Sequence, residues 1–409
     1  LNTKYDTNKE FDYLVIGAGI IGLAISRELL KLDSTKKIAI LEKEPDVAYH
    51  SSGRNSGVLH AGFYYTADSL KAKFSRDGNQ QLREYCYQNN LKINECQKIV
   101  VAKDESELPA LFELEKRGKK NGVEVRIISE EEVAKIDPNV KTHKYALYSP
   151  NTATVDPTEI NHAIKKELIE QGVQIFFNEA YKSRNSGNSV TTRSGNVYKA
   201  KKIINAAGLY ADKIARDFNF SKDYTIIPFK GLYLKYTGKD QPLSTNVYPV
   251  PNLNNPFLGV HFTLTVDGTL KIGPTSTPAF WRENYKSLKN FSGYELINIL
   301  IWEAKLFFSN AFGFRKLAIQ EIKKYNKKHF SKLALYMVKD IDLNKFNEWV
   351  RPGIRAQLLN KKTKELVMDF VVEGDENSIH ILNAVSPAFT CSFPFASWVV
   401  KNYIVKHEE

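Results

Sequence analysis

The sequence predicts an α/β fold, α+β overall, in which a parallel-sheet domain is interleaved with a second domain built on a mixed or antiparallel sheet plus helices. Three observations carry this. A short apolar run, Tyr13–Ile16, is followed by a glycine-rich turn, a helical stripe over Leu23–Leu32 and a second apolar run, Lys37–Glu42. From about 225 to 275 the pattern alternates as β-structure does, with Asp267-Gly268 between two runs as a hairpin signal. After residue 365 strands return, and the chain closes with a helix near 390–405. The first domain therefore resumes where the second ends. The expected boundaries are 10–90 with 150–220 and 350–409 for the first domain, and 91–149 with 221–349 for the second.

The remaining elements follow in order. Residues 69–90 read as a helix, Lys98–Ala102 as a strand and Glu105–Gly122 as a charged helix. Pro157–Gly172 is a helix ended by its glycine, and the strand Val173–Phe177 comes after it. Asn188–Ser194 and Asn196–Ala200 flank a Ser-Gly turn and read as a hairpin. Lys202–Ala206 reads as a further strand leading to Gly208, and residues 293–340 turn helical. No internal repeat is visible.

The totals bound the function. A chain of 409 residues exceeds one ordinary core and suits two domains. The net charge of +12 permits an anionic substrate, an anionic membrane or nucleic acid, and says nothing of fold. Residues 281–340 hold 12 Lys/Arg and 5 Asp/Glu, so +7 of the excess lies there. No RNA-binding signature accompanies it, and no nucleic acid partner is expected. Cys86, Cys96 and Cys391 form neither a CxxC nor a Cys/His metal spacing, which suits a reducing compartment and argues against a metal centre. There is no run of 18 apolar residues and no secretory leader pattern, so a cytoplasmic protein is expected, free or lying on the inner face of a membrane.

GAGIIG places Gly17, Gly19 and Gly22 directly after a strand and before a helix, and Glu42 ends the next strand 20 residues on. This is the dinucleotide fingerprint of a Rossmann-like domain in its required context. Gly17 makes the tight turn, Gly19 lets the backbone approach a pyrophosphate, and Gly22 lets helix and strand pack. The helix N-terminus offers free N–H groups to the phosphates, and Glu42 is placed to accept from a ribose hydroxyl. An NAD enzyme would resume strand–helix alternation after the acidic residue. Here HSSGRNSG intervenes (residues 50–57), small and hydroxylic, as a second loop over a longer dinucleotide would be. NAAGLYAD (205–212) adds a later strand-to-glycine approach. Both features point to FAD.

From about residue 11 to 405 the chain resembles the L-2-hydroxyglutarate dehydrogenase/oxidase family, within the wider D-amino-acid-oxidase-like and glycine-oxidase-like FAD group. The stretches are GAGIIGLA (17–24), HSSGRNSGVLHAGFYY (50–65), SLKAK (69–73), NAAGLYAD, VYPVPN (247–252), PFLGVHFT (256–263), GIRAQ (353–357) and ILNAVSPAFT (381–390). Two departures stand out: FKGLY carries Leu232 where the family has an acidic residue, and Ala67-Asp68 replaces a Pro-Gly. The resemblance implies non-covalent FAD and oxidation of L-2-hydroxyglutarate, or a close L-2-hydroxy acid, to a 2-oxo acid. Electrons would pass to oxygen, a membrane quinone or an electron-transfer partner. An amine oxidase of the glycine or sarcosine type is the alternative reading.

The implied cofactor set is Gly17, Gly19, Ile20, Gly22, Glu42, Lys43, His50, Ser51, Ser52, Arg54, Asn55, Ser56, Gly57, Ala207, Gly208, Gly353, Ser386, Pro387, Ala388 and Thr390. His50 is expected against the flavin or its ribityl chain. Ser386 is expected either at that end of the cofactor or as the cap of the last helix. Arg351 resembles the family's carboxylate ligand, and Arg355 is a candidate for either carboxylate of a dicarboxylate, since Arg forks bind carboxylates bidentately. His60 and His261 are the candidate bases, with His60 preferred. Tyr64, Tyr233 and Tyr248 could supply hydroxyls to the substrate, although aromatics at such positions more often simply pack.

Over 293–312, Ile297, Leu300, Ile301, Ala304, Phe308, Ala311 and Phe312 share one helical face. The reading taken is a core helix followed by a solvated basic helix. The alternative is a peripheral membrane contact.

Overall fold

The computed structural model describes residues 10–67, 69–251 and 259–406. Among the stretches quoted above, Asp68, Asn252 and residues 256–258 lie outside them.

Five parallel strands form the centre of the first sheet. Glu10–Ile16 pairs with Ile38–Leu41 on one side and Val197–Asn205 on the other. Gln174–Phe176 extends the first side, and Ser378–Asn383 joins the end of Val197–Asn205. Parallel strands covered on both faces read as continuous apolar runs, and Leu14, Val15, Ala39 and Ile40 are all fully buried. Alternation then sorts the side chains. Tyr13 and Val15 face the helices Ile20–Leu32, Pro157–Glu170 and Ser392–Val400, while Leu14 and Ile16 pack with Phe176, Tyr198 and Phe218 on the other face.

The expected hairpin is present: Ser189–Thr192 runs antiparallel to Val197–Asn205. The separate strand expected at 202–206 is the second half of that same strand. No Gly or Pro interrupts VYKAKKIIN, so the chain passes from antiparallel to parallel pairing without a break.

The second large sheet has eight strands in the order Phe346–Trp349, Leu234–Tyr236, Leu270–Gly273, His261–Leu264, Asn246–Pro249, Lys98–Val101, Tyr145–Ser149 and Arg126–Ser129. All neighbours are antiparallel except Asn246–Pro249 beside Lys98–Val101. The Asp267-Gly268 turn joins two of its strands as expected, with Gly268 at φ +77°. A smaller sheet pairs Tyr224–Gly231 with Gly353–Asn360 and sets Phe229 opposite Arg355. That register carries the GIRAQ segment to the rim of the first sheet.

The helix Gly293–Ser309 corrects the expectation of a core helix. The expected inward stripe faces out: Ile297 is 61 % exposed and Phe308 77 %, and Leu300, Ile301 and Phe312 are exposed too. Ala304 is exposed as well, and of that stripe Ala311 alone packs inward. The opposite face is held by specific partners. Glu295 pairs with Lys213 at 2.6 Å, and Leu306 docks on Ile227, Phe229 and Leu359. The last helix corrects the capping alternative. Its N-cap is Cys391, five residues beyond Ser386.

Candidate active site

A cavity of about 1090 Å³ opens where the parallel strands end, at residues 16–21, 41–44, 206–210 and 381–390. Ligands sit at this end of open α/β sheets because the loops there diverge. Gly17 makes its turn at φ +107°, a conformation that side-chain-bearing residues rarely adopt. Gly22 comes so close to the strand that a Cβ would lie 2.0 Å from the Gly17 carbonyl oxygen. The helix Ile20–Leu32 is capped by Gly19 with no side-chain acceptor and has no acidic residue in its first turn. An uncapped helix N-terminus facing a cavity is an anion site.

Both Glu42 oxygens accept backbone N–H groups, from Ala18 at 2.9 Å and Glu44 at 3.0 Å. Burial raises its pKa above the usual carboxylate value, and those two donors oppose the rise. The loop after it is tied down at two adjacent serines. Ser52 Oγ accepts from Ile20 N at 2.9 Å, and Ser51 Oγ donates to the Ile354 carbonyl at 2.8 Å. The open helix end, the buried carboxylate and a cavity of this volume fit a dinucleotide such as FAD.

All residues of the implied cofactor set line this cavity except Gly22 and Gly57. Gly22 acts through close packing, as expected, and Gly57 lies against the Val155 carbonyl. His50 lines the wall, but both ring nitrogens are taken, by Tyr285 Oη and Glu44 Oε1, each at 2.9 Å. It therefore has no free nitrogen for a ligand. The hydrogen bond from His50 is the main reason the Glu44 pKa falls to about 2. Ligand atoms of Glu44, His50 and Glu283 lie within 4.8 Å of one another, but the Lys43 ammonium already bridges the two carboxylates.

At the other end, His60, Tyr233 and Arg355 share the cavity wall. Arg355 is partly buried, and its Nη1 donates to the Thr275 carbonyl at 3.1 Å and Ser276 Oγ at 3.3 Å. Among the described residues it has no carboxylate within ion-pair distance, in contrast to Arg282 on Asp212 at 2.6 Å. Arg351 is exposed and lines a neighbouring recess of about 110 Å³ with Lys271. Tyr233 and residues 54–56 belong to both spaces.

His60 is 8 % exposed and lines the cavity, and its Nδ1 is buried with no hydrogen-bond partner. Its backbone N–H donates to Thr390 Oγ1 at 3.2 Å, which joins it to the 386–390 turn. Burial, aided by Lys98 and His261, holds the imidazole pKa well below the usual 6.5. The other candidate base is placed differently. His261 is buried outside the cavity wall, stacked on Tyr248 at 3.7 Å, and its Nδ1 is hydrogen-bonded to the Gly259 carbonyl at 2.8 Å. Burial pushes its pKa down to about 3. Tyr64 and Tyr248 lie in the same layer behind the wall.

The imidazoles give a pH prediction. A base must be unprotonated, and a depressed pKa keeps it so at lower pH. The acid limb of kcat/KM should therefore fall well below pH 6.5, not at the value of a free imidazole. A profile between pH 5 and 8 checks this. Stability runs the same way: the unfolded chain takes up protons near pH 6.5 that buried His261 and His380 refuse down to about 3, so Tm should fall across that window.

Two lysines escaped the sequence reading. Lys71 lies in SLKAK, and its Nζ donates to the Ser386 carbonyl at 3.2 Å, bracing the 386–390 turn. Lys98 is fully buried, its Nζ 4.1 Å from the Tyr248 ring centroid, and burial lowers its pKa to about 7. The signal for Lys98 is a charged residue opening the otherwise apolar strand KIVV. Nothing local says that this end is buried too.

Residues 12–401 match the family model described as FAD dependent oxidoreductase. L-2-hydroxyglutarate dehydrogenase of Indibacter alkaliphilus is 35 % identical over 406 residues, covering 96 % of this chain and all of its own. The enzyme of that name from Escherichia coli K12 is 31 % identical, covering 95 % of this chain and 92 % of its own. The human mitochondrial enzyme is 32 % identical, with coverages of 96 % and 88 %. Among solved structures, L-alpha-glycerophosphate oxidase from Mycoplasma pneumoniae with FAD bound superposes with a TM-score of 0.74 at 22 % identity, covering 97 % of this chain and 95 % of that one. Glycine oxidase from Geobacillus kaustophilus gives 0.69 at 18 %, covering 96 % and 94 %. At such identities these two show the fold.

Proposed function

We propose that this chain, which belongs to the FAD dependent oxidoreductase family, oxidises L-2-hydroxyglutarate, or a close L-2-hydroxy dicarboxylate, to the 2-oxo acid. The observation that carries this reading is Arg355, a cation with no carboxylate at ion-pair distance among the described residues, in the wall of the same cavity that the neutral imidazole of His60 lines. The name shared by the curated relatives supports the substrate.

The residues divide the work as follows. Arg355 holds the carboxylate next to the reacting carbon, bidentate through the part of its fork that Thr275 and Ser276 leave free. Arg351 and Lys271 in the adjoining recess offer positive charge to the second carboxylate. Tyr233, common to both spaces, separates the two subsites. His60 takes the proton of the 2-hydroxyl on Nε2, and its hydrogen bond to Thr390 fixes its backbone against the 386–390 turn. The helix end at Gly19–Ile20, Glu42 and the loop 50–56 would hold FAD, which when bound supplies the acceptor for the C2 hydride. Oxygen or a membrane quinone would then take the electrons.

The test is anaerobic addition of L-2-hydroxyglutarate, D-2-hydroxyglutarate and glycine to the purified holoprotein, with the visible flavin band followed. Bleaching by the L-hydroxy acid alone is expected. Bleaching by glycine would establish the amine-oxidase reading instead. No bleaching with FAD bound would overturn the substrate and turn attention to Leu232, which stands where the family carries an acidic residue.

A further inference from the structure

Residues 281–292 run between the short strand Thr277–Pro278 and the helix Gly293–Ser309, yet Arg282, Glu283 and Tyr285 are bound to the loops that follow the parallel strands. Arg282 is buried and grips the fully buried Asp212 with both ends of its fork, Nη1 on Oδ1 at 2.6 Å and Nη2 on Oδ2 at 3.0 Å. Asp212 closes the NAAGLYAD stretch, whose Gly208 lines the cavity. Glu283, also buried, accepts from Lys43 Nζ and from Tyr210 Oη, each at 2.7 Å. Tyr285 Oη meets His50 Nδ1 at 2.9 Å, and the Arg54 guanidinium lies over the Tyr285 ring, 4.2 Å from its centroid. Breaking a buried ion pair leaves a charge uncompensated, so this segment is fixed in place and is no loosely attached loop.

The same segment forms part of the cavity. Glu283, Lys289, Asn290, Phe291 and Ser292 line its wall. The bonds say which end they line. Lys43 follows Glu42, Glu283 takes Lys43, and Asn290 Nδ2 donates to Glu283 Oε2 at 2.7 Å. Phe291 therefore stands at the Glu42 end, opposite the end that His60, Tyr233 and Arg355 share. Its ring is held edge-on by Trp281 with centroids 5.3 Å apart, and Trp281 Nε1 donates to the Lys289 carbonyl at 3.0 Å. Phe291 is nonetheless 53 % exposed, an aromatic supported from behind in the wall of a dinucleotide-sized cavity.

We propose that residues 281–292 complete the FAD site, with Phe291 covering the adenosine half of the cofactor and the Arg282–Asp212 and Lys43–Glu283 pairs holding the segment shut over it. A heterocycle gains from an aromatic neighbour whatever its hydrogen bonds, because every base has a π-face. The phosphates belong to the open helix end at Gly19 and the flavin to the His60 end, so adenosine is the part of FAD within reach of this segment. The placement has a kinetic consequence. FAD enters and leaves past a wall that the ion pairs keep closed. Weakening a pair speeds passage in both directions, and removing the ring speeds departure alone. The inference rests on the cofactor and not on the substrate, and flavin release reads it without turnover.

The experiment is release of FAD from the purified holoenzyme on dilution, followed by the rise in flavin fluorescence, and its uptake again by the apoprotein. Phe291→Ser should release FAD about tenfold faster, the order that stacking on one base carries, with uptake unchanged. Glu283→Gln keeps the side-chain shape and removes the charge, and Lys43 retains Glu44 as a partner. Its release and uptake should both rise about fivefold, the order of one ion pair. Leu288→Ser is the control. Leu288 lies in the same segment, 72 % exposed and outside the cavity wall, and its variant should release FAD at the wild-type rate. The thermal transition in saturating FAD should stay close to wild type in both serine variants, because both side chains are already exposed. Release within twofold of wild type in Phe291→Ser and Glu283→Gln alike overturns the proposal. So does release from Leu288→Ser as fast as from Phe291→Ser, which would show a loosened segment and no contact with adenosine.

Discussion

Replacing Arg355 by Met should lower kcat/KM for L-2-hydroxyglutarate by about two to three orders of magnitude and leave FAD bound. Removing one partner of a buried, hydrogen-bonded charge pair costs about 2–5 kcal/mol, and each ~1.4 kcal/mol is tenfold. Arg355 has the features that place it near the middle of that range. None of the described residues places a carboxylate at ion-pair distance from it, and on the proposed function the substrate supplies one. Its two donor contacts are uncharged, and the nearest carboxylate to act on it, Glu321, does so only beyond ion-pair distance. In the proposed pose the carboxylate it holds sits on the reacting carbon, so loss of the fork disturbs orientation as well as affinity. The methionine is close in length and apolar, and should pack where the stem packed. Arg355→Lys should recover only part of the loss, because an ammonium keeps the charge and gives up the planar fork. Steady-state kinetics on both variants, with the flavin spectrum recorded first, checks this. A KM within twofold of wild type in Arg355→Met would remove Arg355 from the substrate and hand the carboxylate to Arg351.

The parts of this molecule legible in its sequence are those set by neighbours along the chain. GAGIIG announces its turn because Gly17 needs positive φ and Gly22 needs the space, and both needs arise within six residues. The Asp267-Gly268 hairpin is legible for the same reason. The orientation of Gly293–Ser309 is not. Its heptad-like stripe is real, but burial was decided by Glu295 reaching Lys213 and Arg282, residues distant in sequence. A stripe says that a face is apolar; it does not say that the fold covers it. His60 and His261 are both candidates as types, with His60 preferred from its place after the 50–57 loop, and the stacking of His261 on Tyr248 behind the wall is not visible in the sequence. Lys98 is the same lesson in reverse, since a lysine opening a strand reads as solvated until the two flanking strands and the aromatic rings beside it are in place.

Replacing Gly22 by Ala should give a protein that no longer holds FAD. The added Cβ would stand 2.0 Å from the Gly17 carbonyl oxygen and 3.2 Å from Val15 Cγ1. The first neighbour is backbone, in a turn pinned by Gly17 N donating to the Leu41 carbonyl at 2.8 Å, so it cannot swing aside as a side chain would. The helix must move away from the sheet by more than 1 Å to restore van der Waals contact. The same helix carries the open N–H groups of the phosphate cradle, and Ile20 N is the donor that Ser52 Oγ accepts. A shift therefore breaks the cradle and the loop tie together. Strain of roughly 1–3 kcal/mol is expected from forcing a methyl into a packed contact, a fall of only a few degrees in Tm for a chain of this size. Flavin retention through gel filtration should drop at least tenfold. Gly172→Ala is the control. Gly172 lies at φ +89° with nothing within 4 Å of its Cβ, so alanine there strains the backbone without touching the cradle. That variant should lose a comparable amount of stability and stay yellow. If both variants stay yellow, the helix end at Gly19 is not where the pyrophosphate is held, and the phosphates must be sought along the 50–56 loop instead.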